Sequence, residues 1–410
     1  MLFEFSQGYA IFYLLTFLLY HLLFTFHFNI VDKLVLPYED VLKDILWLCV
    51  NILFILVFFN IAAWKTLVLI LFISSIYVII KNSNDSYFVK LAVSIALLLF
   101  FFKFLHLVLS EKTYLYYFYI VGFSYLILKL IHFIFEYHNK LIEKDSLASF
   151  LNYLLFFPVF LSGPITTYQD FTSEVKNRIK ADEAFKLLIK GVKRIILGLF
   201  KLYFLSQYTE LFSFFNLDAE YLQSVPFYLL IIFAYISVIH LYLNFSGYCD
   251  LAIGISNLFC INIPENFNHP LSARNLQIFW QRWHITLSNW LKMYIFMPLS
   301  KKMFGIKALS NRVHVIQPLG IFITFSVMGA WHGLEVNYLV YGLFQGFGLS
   351  AVLFFDYFLK ANKLHKAYHS VRVFSLIAWF LTANYFALSL LLFNANSQDK
   401  LNILIDLATR

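Results

Sequence analysis

Apolar runs long enough to cross a lipid bilayer recur along this chain, and they leave few folds open to it. A spanning helix needs ~20 mostly apolar residues. Such runs lie at roughly 8–28, 45–63, 66–80, 88–109, 114–136, 148–162, 194–215, 226–244, 276–298, 313–331, 337–357 and 373–393. That is about a dozen segments, several of them short or interrupted. Only 13% of the residues are charged and 61% are hydrophobic, whereas soluble domains carry roughly 25% charged residues. The expectation is an all-α, polytopic membrane protein forming one domain over 1–410. The stretches 148–162 and 246–263 are too short or too polar for plain spans. They read as re-entrant or half-helices, because irregular backbone at membrane depth survives only when covered by protein or lining a cavity.

The net charge of +8 sits in loops. Lys176 to Arg194 holds seven Lys or Arg, Lys301 to Arg312 four, and Lys360 to Arg372 four. By the positive-inside tendency these loops face the cytoplasm. No basic stripe carries interleaved aromatics, which argues against nucleic acid as a partner. Residues 182–200 are amphipathic and lysine-rich, and read either as an interfacial helix or as a solvated charge run. Cys49, Cys249 and Cys260 have no paired spacing. Met1-Leu-Phe-Glu-Phe-Ser6 lacks a basic n-region, so the first apolar run is expected to stay as a membrane helix. No low-complexity tract, linker or inverted repeat of the transporter kind is visible.

Within this apolar background a few polar stretches stand out. Ser326-Val-Met-Gly-Ala-Trp-His-Gly-Leu-Glu335 places His332 between two spans. Ionisable groups at such depth face a cavity, a partner or a substrate path. The bland alternative is a histidine snorkelling to the headgroups beside Trp331. A second site weighs against it: Phe279-Trp-Gln-Arg-Trp-His-Ile-Thr-Leu-Ser-Asn-Trp290. On one continuous helix Trp280, His284 and Ser288 would share a face. Asn244-Phe-Ser-Gly-Tyr-Cys-Asp250 puts a carboxylate in an apolar run, where it must be paired, hydrated or protonated. Pro264-Glu-Asn-Phe-Asn-His-Pro270 is a turn, and Phe157-Pro-Val-Phe-Leu-Ser-Gly-Pro-Ile165 reads as a broken helix. No zinc-type ligand cluster, phosphate-binding glycine loop or nucleophile elbow is present, so no metal site is expected.

Taken together, Phe-Ser-Gly-Tyr with the following Asp250, Pro-Glu-Asn-Phe, Phe-Trp-x-Arg-Trp-His and Trp-His-Gly resemble the membrane-bound O-acyltransferase family in order and spacing. With Ser162-Gly-Pro-Ile165 and Tyr341-Gly-Leu-Phe-Gln-Gly346 the match runs over about 155–346. It is similar to the bacterial branch, which holds the D-alanyl transfer protein of teichoic acid modification and the alginate and peptidoglycan O-acetyltransferases. Val336 and Gln345 depart from residues common in relatives.

The resemblance implies a bundle around a central funnel, with His332 as the catalytic histidine and His284 as the second one. It implies acyl transfer from a thioester with no bound cofactor, first of D-alanyl from a phosphopantetheine carrier protein and, as the alternative, of acetyl from an acetyl thioester to an exopolysaccharide or peptidoglycan. The acceptor is a hydroxyl of an envelope polymer or lipid-linked precursor. Other expected partners are membrane lipids and an acyl carrier protein on the cytoplasmic side, and the expected location is the cytoplasmic (inner) membrane. His332 would be the general base, a role suited to an imidazole titrating near ~6.5. His284, with Ser288 or Asn289, would orient the acceptor or stabilise an oxyanion. Asp250, Arg282 and Trp331 are the remaining expected substrate-binding residues, with Asp250 paired to Arg282 or to a histidine. The rivals are a transporter or flippase of an envelope precursor, which would consume no thioester, and a non-catalytic scaffold of the assembly.

Overall fold

The computed structural model describes residues 39–57, 61–83, 87–108, 122–142, 145–176, 181–214, 216–395 and 402. The expected span at 8–28 and the first part of 114–136 lie outside the described residues. Among those residues every regular element is helical. In chain order they are α1 (Glu39–Val57), α2 (Ala63–Asn82), α3 (Phe88–Val108), α4 (Phe123–His138) and α5 (Leu147–Leu155). There follow α6 (Tyr168–Lys176), α7 (Ala181–Leu199), α8 (Ala219–Ser224), α9 (Phe227–Leu258), α10 (Leu276–Arg282) and α11 (Ile285–Leu291). The last are α12 (Met297–Phe304), α13 (Val313–His332), α14 (Val336–Ala361), α15 (His365–Ser370) and α16 (Arg372–Phe393). Helices α2, α3, α9, α13, α14 and α16 are long and apolar enough to cross a membrane. The protein is a multi-pass, all-α membrane protein.

The half-helix expected at 148–162 is α5. Ser146 starts it by accepting a bond from the Ser149 N–H, and a buried 3-10 turn at Phe157–Val159 follows it. The Phe157 N–H, freed where the helix ends, is taken up by Asn51 Oδ1 at 3.1 Å, which is how a helix can end inside a membrane protein.

Two expectations are corrected. The stretch 246–263 is not a separate broken segment, because α9 runs unbroken from Phe227 to Leu258. Two of its polar residues find partners without leaving the helix: Ser256 Oγ donates to the Ala252 carbonyl at 2.7 Å, and Asp250 is held by Lys201 at 2.6 Å and by Arg194. Conversely, 276–298 is not one span. It breaks after Arg282 into α10 and α11, then continues through a widened turn at Lys292–Phe296 into α12.

Helix α7 also continues through a widened turn, Phe200–Ser206, to Gln207–Glu210, so 194–215 is the end of a longer rod. This rod packs along α9. Arg194 and Lys201 turn onto Asp250, and Phe185, Ile189 and Ile196 are exposed. Residues 182–200 are therefore not simply a solvated charge run.

The hairpin that carries His332 is α13 and α14, joined by only Gly333 to Glu335. The helices are antiparallel, since Gly329 faces Gly342, Phe322 faces Gly346 and Pro318 meets Ser350. Their backbones touch at the first of these pairs. A methyl group on Gly329 would lie 2.8 Å from Gly342 Cα, closer than carbon atoms can pack. Close approach by small residues is how membrane helices associate without a hydrophobic driving force.

Gly342→Val should therefore force α13 and α14 apart at the level of His332. We expect a loss of roughly 1–3 kcal/mol, seen as a lower melting temperature in detergent. Unchanged melting would show that the contact is slack.

Candidate active site

The break between α10 and α11 falls at His284, whose φ of 44° and ψ of 52° are left-handed. For a residue with a Cβ this conformation costs about 1–3 kcal/mol and persists only where the surroundings hold it. Asn266, fully buried in the loop between α9 and α10, does the holding. Its backbone carbonyl accepts from the Ile285 N–H at 3.0 Å. Its side-chain Oδ1 takes the Thr286 N–H at 3.2 Å, the Thr286 hydroxyl at 2.9 Å and His284 Nδ1 at 3.2 Å. The amide nitrogen donates to Cys249 Sγ at 3.4 Å.

This network assigns a tautomer to His284. An amide oxygen only accepts, so Nδ1 carries the hydrogen and Nε2 presents its lone pair. The Tyr125 hydroxyl of α4 lies 3.3 Å from Nε2 and accepts in turn from Ser162 Oγ at 3.2 Å. Hydrogen bonds therefore run in one direction, from Ser162 through Tyr125 and His284 to Asn266. The edge of the Phe245 ring closes the remaining side of the imidazole at 4.8 Å. His284 is sealed, with 4% of its surface exposed.

His332 is different. It is the last residue of α13, half-buried, in a cage of rings: Trp331 at 4.8 Å, Phe393 at 5.3 Å and Tyr341 at 6.1 Å between centroids. Its backbone carbonyl accepts from Lys103 Nζ of α3 at 3.0 Å. Trp331 also packs edge-on to Tyr125 at 5.7 Å. The two histidines thus belong to one site, joined by Tyr125 and Trp331. Among the described residues the buried indole Nε1 of Trp331 has no hydrogen-bond partner.

A sequence profile described as the membrane-bound O-acyltransferase family matches residues 35–393. The chain is 31% identical to a teichoic acid D-alanyltransferase of Bacillus subtilis over 67% of its own length and 68% of that protein. It is 33% identical to a peptidoglycan O-acetyltransferase of Helicobacter pylori, over 63% of this chain and 47% of that one. To a probable alginate O-acetylase of Pseudomonas aeruginosa it is 27% identical, over 56% of this chain and 42% of that protein. It spans less than half of these last two. The chain belongs to the membrane-bound O-acyltransferase family. Transfer of an acyl group to an oxygen, within a membrane, is accordingly its enzymatic class.

Of the residues singled out in this O-acyltransferase, His284, Trp331 and His332 come together and four others do not. Asp250 pairs with neither Arg282 nor a histidine. Arg194 and Lys201 hold it, and Arg194 also binds Glu265. A buried carboxylate takes the nearest fixed cations, and α7 and the widened turn that continues it supply one each. Arg282 instead donates to Ser272 Oγ at 3.0 Å. Ser288 bonds the Trp283 carbonyl at 3.4 Å and Asn289 is exposed. The shared face expected for Trp280, His284 and Ser288 is lost because the helix breaks at His284. Trp280 Nε1 donates to the buried Gln345 at 3.2 Å, so Gln345 braces α10 against α14, and Val336 is exposed.

Sequence reasoning gave no role to Tyr125, Asn266 or Thr286. Asn266 stood inside a quoted motif, while Tyr125 sits in an apolar run with nothing local to mark it. The Thr286 hydroxyl also accepts from the Ile165 N–H at 3.0 Å, tying the broken helix near 160 to the site.

Asn266→Ala would leave three donors without an acceptor, at about 1–3 kcal/mol for each buried group. We expect acyl transfer to fall by at least ~10-fold at equal protein level, whereas Asn289→Ala stays near wild type. Asp250→Ala would strand Lys201 and leave Arg194 with Glu265 alone, and loss of one partner from a buried pair costs about 3–5 kcal/mol. It should reduce the yield of folded protein in membranes, which size-exclusion profiles would report.

Proposed function

We propose that this O-acyltransferase moves a D-alanyl group from a carrier-protein thioester to a hydroxyl of an envelope polymer, in the manner of teichoic acid D-alanylation. The observation that carries this reading is the unequal pair of histidines, one accessible at a helix end and the other sealed and hydrogen-bonded on both nitrogens. His332 acts as general base. It removes the proton of the acceptor hydroxyl as that oxygen attacks the thioester carbonyl. The new C–O bond forms, the C–S bond breaks, and the thiolate leaves with the proton that His332 had taken. His284 does not exchange protons in this scheme. Its Nε2 fixes Tyr125, and Tyr125 with Trp331 fixes the wall beside His332.

The orientation follows from charge. Helices α13 and α16 begin, and α14 ends, at Arg312, Arg372 and Lys360. By the positive-inside tendency this end faces the cytoplasm. His332 is 19 residues along α13 from Val313, or ~28 Å at 1.5 Å per residue, so it lies towards the opposite face of the cytoplasmic membrane. An acyl carrier protein docks on the basic side, where its acidic surface is complementary, and the polymer approaches from the other. The similarity to the Bacillus subtilis D-alanyltransferase over two thirds of both chains supports D-alanyl as the acyl group. The 33% identity to a peptidoglycan O-acetyltransferase supports acetyl as the second reading.

Membranes carrying the wild type or His332→Ala, supplied with D-alanyl carrier thioester or acetyl thioester, test this. Envelope esters are quantified by mass spectrometry. D-alanyl esters should form with the wild type and drop by about 10²–10⁴-fold in the variant, the range expected on losing a general base. Acetyl esters alone would favour the second reading, and transfer that survives the substitution would remove His332 from the chemistry.

A further inference from the structure

Lys103 lies in the run Phe100-Phe-Phe-Lys-Phe-Leu105 of α3, 15 residues from its start at Phe88, or ~22 Å along the axis. An ammonium at that depth is costly to keep and is a functional candidate by default. It donates to a neutral group, the His332 carbonyl, at 3.0 Å. Among the described residues no carboxylate comes within 4.0 Å of it, whereas Arg194 and Lys201 both rest on Asp250. Glu335, three residues beyond His332, is exposed, folds over Gly333 and acts on the ammonium through space without contacting it. An ammonium has three N–H groups, and the carbonyl uses one. The negative end of the α13 dipole favours a cation here without neutralising it, being equivalent to only about half a charge. Lys103 is half-buried, and Trp331 Nε1, on the ring adjoining His332, is a second N–H without a partner.

We propose that Lys103 is the anion subsite for the acceptor: its ammonium binds a phosphodiester or carboxylate carried by the polymer and sets a neighbouring hydroxyl against His332. The inference rests on the reading of His332 as base for acceptor activation, and it adds the residue that holds the acceptor's charge beside that base. A fixed cation next to the base selects by charge before chemistry begins, and it contributes to binding more than to the step itself. The pairing is charge-assisted and two-point, carbonyl on one side and anion on the other, which orders the ammonium in one direction.

Lys103→Gln removes the charge and Lys103→Arg keeps it. Taking a charge out of an apolar helix lowers the cost of insertion, so Lys103→Gln folds. Binding is measured on protein in nanodiscs with three probes: a poly(glycerol phosphate) oligomer, a uronate oligomer and a neutral polyol. Transfer kinetics follow with the same acceptors. We expect Lys103→Gln to weaken binding of at least one anionic probe by 10-fold or more and to raise its KM alike. Neutral-polyol values should stay within twofold, and Lys103→Arg should restore most of the difference. Whether the phosphate or the uronate probe responds tells which anion the subsite takes. Binding lost in Lys103→Gln by a wild type that transfers to none of these acceptors would keep the subsite and sink the reading of His332. Equal losses for charged and neutral probes would instead make Lys103 a cap for α13 and overturn the subsite, as would anionic binding that does not change.

Discussion

The Oδ1 atom of Asn266 accepts three hydrogen bonds, from His284 Nδ1, the Thr286 N–H and the Thr286 hydroxyl, and the arrangement of the site depends on them. A left-handed histidine opposes the fold by about 1–3 kcal/mol. Each of these bonds contributes a net of only about 1 kcal/mol, but leaving any one buried donor without an acceptor costs more. The kink is therefore held by the penalty for undoing it. Because the same oxygen both bends the chain and fixes the imidazole, His284 cannot relax its backbone without also losing its tautomer.

That amide is itself held in place by charge at some distance. Arg194 of α7 bridges Asp250 of α9 and Glu265, the residue immediately before Asn266. The loop from Ile261 to Asn275 is also tied down by Glu174 at the Asn262 N–H, by Arg282 at Ser272 and by Trp379 at the Leu271 carbonyl, and Arg194 adds the tie that lies next to Asn266. Asp250 thus contributes to the site through the position of the loop. It is a polar residue in a membrane helix whose demand for a counter-ion draws two helices and a loop together. Buried ion pairs are weak evidence for stability but can specify one arrangement among several, and here they align α7, α9 and the loop.

How much of this could be read in the sequence divides along physical lines. The bundle was legible because lipid imposes a length and a polarity on every segment that crosses it, and α2, α3, α13, α14 and α16 correspond to runs visible in the chain. The polar halves of helices misled. Asn244 to Asp250 looks like a break when taken alone, since its neutralising cations, Arg194 and Lys201, lie about fifty residues away in a stretch that reads as a surface charge run. The segment 276–298 misled in the opposite sense. It is apolar and periodic, and the residue that breaks it, Asn266, acts from outside it. His284 and His332 were legible as expensive residues in an apolar setting. Tyr125 was not, because a tyrosine in a membrane helix is ordinary until its hydroxyl is seen beside an imidazole.

The contrast between the two histidines argues for a division of labour that neither their residue type nor their depth would indicate. His284 has both nitrogens engaged and an aromatic edge over its ring, so a proton arriving there would have to break Tyr125 or Asn266 away first. Among the described residues His332 is anchored only through its backbone carbonyl and by ring packing, at a helix end, with part of its surface open. Its position is set by α13, while its ring nitrogens bond to none of the described residues. Rigid placement of the backbone with an unengaged imidazole is what a general base needs, since a nitrogen already bonded within the protein must give up that bond before it can take a proton. Tyr125 and Trp331 transmit the first histidine's rigidity to the second one's surroundings without touching its nitrogens. Replacing His284 by a residue that could still hold Tyr125 would, on this view, be a far smaller change than replacing His332.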